Sequence, residues 1–174
     1  MKLPSLLLSI IPLSLAQTPP SPGLSYIGRT HISLGTPFPV GPGPFGNRSI
    51  LPITGGNFTG PIFNATVRAF GGDWALGDPA QGNLYLDARH QLLTEDGADI
   101  FVEANGPQQA DGVIHCRVRW EAGTDKGYAW LNGVVGVGIL TPRFEEGGDG
   151  VEGIVVELWG LVTPGEKGLR EHWG

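Results

Sequence analysis

The stretch Leu84–Gly97 restricts the fold of this chain more than any other. It alternates apolar and polar residues as a β-strand does and then meets an Asp96-Gly97 turn signal. Successive side chains of a strand point to opposite faces. Tyr85, Asp87, Arg89 and Gln91 therefore share one face, and Leu84, Leu86, Ala88, His90 and Leu92 share the other. One face packs a core; the other sets a carboxylate beside a guanidinium.

The same period recurs along the chain. Leu24–Leu34 reads as a first strand, unbulged, with Leu24, Tyr26, Gly28, Thr30 and Ile32 on one face. Gly35–Gly46 is rich in Pro and Gly and reads as a long irregular loop, a rim or lid. Arg48–Thr54 and Ile62–Phe70 follow as strands, and in the second Phe63, Ala65, Val67 and Ala69 face the core. Gly71-Gly72-Asp73-Trp74 interrupts the pattern. Beyond the Asp96-Gly97 turn, Asp99–Asn105 completes a hairpin with the opening strand. Gly112–Glu121 puts Ile114, Cys116, Val118 and Trp120 on one face and Val113, His115, Arg117 and Arg119 on the other. Tyr128–Leu140 reads as a strand aligning Tyr128, Trp130 and Asn132, and its Gly133–Gly138 portion suits either a packed strand or an oligomer edge. Gly147–Gly150 reads as a turn, and Val151–Val162 is the last strand.

Helical periodicity is absent throughout. About seven to nine consecutive strands suggest an all-β antiparallel barrel or sandwich, and a single barrel is the preferred reading, since closure removes exposed edges and can shelter a ligand. The 29 Gly and 15 Pro lie largely between strands, which suits a loop-rich β domain rather than disorder.

The N-terminus carries the parts of a secretory signal: Lys2, an apolar run Leu6–Leu15, and small residues at Ser14 and Ala16. Cleavage after Ala16 would leave residues 17–174 as one barrel domain outside the cytosol, with no stable membrane anchor. Three sequons begin at Asn47, Asn57 and Asn64 and agree with a glycosylated, secretory-pathway protein. Cys116, the single cysteine, precludes an intramolecular disulfide and alternates with core residues, so it reads as a small buried hydrophobe. The formal charge of −6, without a basic run, argues against nucleic acid as a partner.

Three strands carry polar stripes: Tyr85/Asp87/Arg89/Gln91, His115/Arg117/Arg119 and Tyr128/Trp130/Asn132. Converging inside a barrel, they would form a site for an anionic or oxygen-rich molecule. Arg89 or Arg117 would polarise an oxygen, His115, Asp87 or Asp73 would move or orient a proton, and Trp74 and Trp130 would wall the site. Facing outward, the same stripes are solvated faces or a salt-bridge ladder. His31, His90, His115 and His172 lack metal-ligand spacing, so neither a metal nor a cofactor is expected. Asp73, Asp87, Asp96 and Glu157 include no pair singled out for glycoside hydrolysis, and Asp96 reads as a turn residue.

Five ordered segments resemble the family known as domain of unknown function 3237: Arg48–Pro61 (RSILPITGGNFTGP), Gly71–Trp74 (GGDW), Leu86–Arg89 (LDAR), Leu93–Ala98 (LTEDGA) and Tyr128–Asn132 (YAWLN). The resemblance implies a calycin-like barrel and marks Arg48, Asp73, Trp74, Asp87, Arg89, Asp96, Trp130 and Asn132 as the family's polar motif positions. The apparent signal peptide, a shortened Asn105–Glu121 segment and the Gly/Pro-rich front loop depart from the family pattern.

The expectation is a secretory barrel that binds a small organic molecule and isomerises or cyclises it by acid/base chemistry, without a cofactor. Catalysis would fall to Asp87, Arg89, His115 and Asp73, and binding to Arg48, Trp74, Tyr85, Arg117, Trp130 and Asn132. The alternatives are a noncatalytic lipophile carrier and a glycoprotein interaction module whose lumen is filled by Phe63, Leu86 and Val118. A homo-oligomer is compatible with each.

Overall fold

The computed structural model describes residues 18–80, 82–144, 151–165 and 168–169. The expected leader, His172 and the expected Gly147–Gly150 turn lie outside them. Nine strands form one antiparallel sheet: β1 (Gly23–Leu34), β2 (Phe38–Gly43), β3 (Gly46–Thr59), β4 (Asn64–Gly77), β5 (Leu84–Thr94), β6 (Asp99–Pro107), β7 (Ile114–Ala122), β8 (Gly136–Phe144) and β9 (Val151–Val162). Neighbours run β1-β9-β8-β7-β6-β5-β4-β3, and β3 pairs back with β1. Eight strands thus close a barrel, and β2 is an extra strand on its wall. β3 is shared in tandem: its first half pairs with β2 up to Ile50, and its second half pairs with β1 from Ile53.

Inward positions follow the period of two. Leu86, Ala88, His90 and Leu92 of β5 are buried, opposite Ile100, Val102 and Ala104 of β6 and Cys116, Val118 and Trp120 of β7. Phe63, Leu86 and Val118 are core residues, as the filled-lumen alternative requires. The void left in the lumen is only about 20 Å³. The Trp120 ring lies over the adjacent strand: a Cβ on Gly136 would fall 2.3 Å from it, so β8 must carry a glycine there.

Several expectations need correction. β1 is bulged between Tyr26 and Gly28, which turns Ile27, Thr30 and Ile32 inward while Leu24 and Tyr26 stay exposed. The stretch Gly35–Gly46 is no open loop, because β2 lies within it. β4 continues through Gly71–Trp74 instead of ending there. Residues Ala129–Gly133 form a short 3-10 turn rather than strand, because the chain must cross the barrel end before β8 begins. From Gly136, β8 pairs with both β7 and β9, so this segment is a packed strand and no free edge.

Candidate active site on the barrel wall

The polar stripes do not converge in the lumen. The apolar face of β5 has more to gain from burial, and it takes the inside. Asp87, Arg89 and Gln91 consequently lie half-buried on the outer wall, while His115, Arg117 and Arg119 are exposed there. Much of this wall is an ion-pair ladder. Arg89 Nη1 stands 3.0 Å from Asp87 Oδ1, and its Nη2 is 3.2 Å from Glu103 Oε1. Arg119 bridges Glu103 at 2.8 Å and Glu121 at 3.2 Å.

Beside Arg89 the wall opens into a cleft of about 550 Å³. Its origin is a misfit between strands. Opposite Gln91 of β5, β4 inserts Arg68, Ala69 and Phe70 between its pairings at Val67 and Gly71. On the other side, β3 leaves Ile53–Gly56 unpaired with β4 between the pairings Pro52–Gly72 and Asn57–Thr66. Irregularities of this kind bend a strand and re-aim its side chains. Phe70 is thrown outward as one wall, with Pro52, Ile53, Phe101 and Trp74 completing the apolar lining. Arg89 and Gln91 supply the polar rim, and the Arg89 guanidinium carbon lies 5.7 Å from the Trp74 ring centroid. Arg48 donates to the Trp74 carbonyl, tying β3 to the strand that carries the indole. An aromatic-walled cleft with one oriented guanidinium is suited to a flat, oxygen-bearing organic molecule.

The expected residues divide into separate groups. Arg89 and Trp74 line the cleft, Asp87 stands behind Arg89 as its ion-pair partner, and Arg48 is a support. Asp73 points inward; its Oδ1 accepts the Asp87 amide N–H at 2.9 Å, so it braces the opposite side of the same wall. His115, Arg117 and Tyr85 belong to another part of the surface. Trp130 is buried in the core. Asn132 accepts from the Ala122 N–H at 2.7 Å and donates to the Ala122 carbonyl at 2.9 Å, anchoring the 3-10 turn to β7. Asp96 accepts from Thr94 and Tyr128 hydroxyls at the hairpin tip, in keeping with a turn role. Burial, with the Asp73 charge nearby, pushes the Cys116 thiol up to about 12, so it is inert as a nucleophile at neutral pH. The side chains of Asn47, Asn57 and Asn64 all lie at exposed positions. Gln91 belongs to the polar stripe read from the sequence; Phe70, Phe101, Pro52 and Ile53 are not singled out by it, and the Gly71-Gly72 interruption is the available signal.

Two buried groups titrate in opposition. Burial, aided by the Asp87 charge, raises Asp73 from 3.8 to about 6 against the Asp87 N–H bond and Arg48. Burial alone lowers His90 from 6.5 to about 4, and its Nδ1 has no hydrogen-bond partner among the described residues. Between about pH 4 and 6, folded Asp73 holds a proton that the unfolded chain has lost, so acidification stabilises the fold through this group. Between about pH 6.5 and 4 the unfolded chain protonates His90 first, so acidification destabilises the fold. The two contributions largely cancel. Asp73→Asn, which keeps an acceptor for the Asp87 amide, should expose the His90 slope as a stability loss of about 3 kcal/mol from pH 7 to 4. Urea melts across that range measure it; a profile parallel to wild type would show that Asp73 does not titrate above its usual range.

A family model described as "Protein of unknown function (DUF3237)" matches residues 22–159. The hydroalkoxylation enzyme phnH of Penicillium herquei is 26% identical over 125 residues, 72% of this chain and 78% of that protein. A β-barrel-like protein from Acinetobacter baumannii AYE superposes with a TM-score of 0.72 at 25% identity, over 83% of this chain and 98% of that one. The crystal structure of an enzyme from Penicillium herquei superposes with a TM-score of 0.64 at 24% identity, covering 84% of this chain and 99% of that one.

Proposed function

The chain belongs to the DUF3237 family of β-barrel proteins, and from that premise we propose that its outer-wall cleft binds a small organic molecule and closes a ring in it by hydroalkoxylation. Such a reaction adds a hydroxyl O–H across a carbon–carbon double bond. On an alkene conjugated with a carbonyl, the hydroxyl oxygen bonds to the far alkene carbon as Asp87 takes its proton. The alkene electrons move toward the carbonyl oxygen, where Arg89 stabilises the developing negative charge. Asp87 then returns the proton to the carbon next to the carbonyl. Product and substrate are isomers, so no co-reactant is consumed.

The observation that carries this reading is the placement of Arg89: on the rim of an aromatic-lined cleft, oriented by Asp87, Glu103 and Trp74. The likeness to phnH supplies the reaction class. The filled lumen weighs against a carrier that encloses its ligand inside the barrel and supports a site on the wall. The apolar run Leu6–Leu15 and the exposed asparagines of three sequons support a secretory-pathway location, which is part of the proposal.

2′-Hydroxychalcone, which closes to flavanone by this addition, is a suitable probe. We expect the protein to accelerate closure and to give flavanone of predominantly one hand by chiral chromatography, with both effects lost in Asp87→Asn. Racemic flavanone at the buffer rate would count against the reading.

A further inference from the structure

The opposite end of the same wall carries a second groove, and we infer that it is a separate binding site for a small carboxylate or sulfonate with an apolar body. The groove has a volume of about 510 Å³. Tyr85, Pro107, Val137 and Ile139 form its apolar sides, and Arg117 and His115 project along β7 beside them. Tyr85 lies four residues before Arg89, about 13 Å along β5, so the groove is distinct from the cleft.

The argument rests on how Arg117 is held. Its Nη2 donates to the Tyr85 hydroxyl at 2.7 Å and its Nε to the Asn105 amide oxygen at 3.2 Å. Both acceptors are neutral: they orient the guanidinium without cancelling its charge. Carboxylates pair with Arg29, Arg68, Arg89, Arg119 and Arg143. Arg48, half-buried, is spent on a backbone carbonyl. Among the described residues Arg117 is therefore the exposed arginine with no ion pair. Carboxylates on the neighbouring strands are already engaged: Asp87 by Arg89, Glu103 by Arg89 and Arg119, and Glu157 by Arg29 and the Tyr26 hydroxyl.

On a chain of formal charge −6, an oriented and unneutralised guanidinium is a selective feature for an anion. Its remaining N–H donors suit the two oxygens of a carboxylate or sulfonate. The apolar sides add contact for a ligand body that free phosphate or sulfate lacks.

The probe is 2-naphthoate, titrated into the full chain carrying ¹⁵N and followed by amide and arginine Nε–H signals. We expect saturable shifts at the Arg117 Nε–H and at the Val137 and Ile139 amides. Arg117→Gln should weaken binding at least about tenfold. Tyr85→Phe, which frees the guanidinium but keeps the ring, should weaken it less, and Arg68→Gln, at an exposed arginine paired with Asp99, should leave it unchanged. Inorganic sulfate should bind more weakly than naphthoate. The inference is overturned by shifts centred on Trp74 and Gln91, by binding that survives Arg117→Gln, or by no saturable shift. Failure of chalcone closure leaves this result standing, since the two sites share no lining residue.

Discussion

Gly71→Val should destabilise the protein by about 3–5 kcal/mol and remove the cleft's activity even where the protein still folds. Gly71 sits at φ +110°, and a Cβ there would lie 2.2 Å from the Arg89 carbonyl oxygen. A backbone atom cannot swing away as the end of a side chain can, so β4 and β5 must separate at the pairing of Gly71 with His90. The figure combines backbone strain of about 1–3 kcal/mol with an overpacking cost of similar size. Thermal and urea denaturation read the stability. A Gly71→Val protein with native stability and native chalcone closure would mean that the bulge is dispensable to the site.

Arg89→Gln should lower chalcone closure about a hundredfold while changing stability by no more than about 1 kcal/mol. The first figure is typical for loss of one oriented donor to developing charge. The second reflects ion pairs at a half-exposed wall, where solvent screens most of the attraction. Arg89→Lys keeps the charge but loses the two-pronged geometry that reaches Asp87 and Glu103 together, so it should recover only part of the rate. Steady-state rates with matched melting curves separate the two effects. A large stability loss with an unchanged rate per folded molecule would assign Arg89 to the ladder alone.

The barrel was legible because a period of two is a strong signal when one face is apolar. The expected bounds of β5, β6, β7 and β9 lie close to the observed ones, and Ile154, Val156 and Leu158 of β9 are buried together. Bulges escaped, because one extra residue reverses the phase and leaves no mark beyond a glycine. β1 changes phase near Gly28, whereas β4 bulges out across Ala69 and Phe70, the residues that open the cleft, and resumes in phase, with Val67 and Asp73 both inward. Alternation identifies two faces of a strand without saying which one the barrel encloses. For β5, the apolar run Leu86, Ala88 and Leu92 settles that question by burial, and His90 goes inside with it at the cost of a nitrogen left without a partner among the described residues. Trp130 and Asn132 illustrate the other difficulty: a motif aromatic and amide can serve the core and a turn anchor as well as a ligand.

The most direct test of the central claim, that the site lies on the wall and not in the lumen, is a titration of ¹⁵N-labelled protein with flavanone. The account predicts saturable shifts of the Trp74 indole N–H and of the Phe70 and Gln91 amides, with the lumen-facing Ala88, Val102 and Val118 amides unmoved. Shifts concentrated at Ala88, Val102 and Val118, with Trp74 silent, would contradict it.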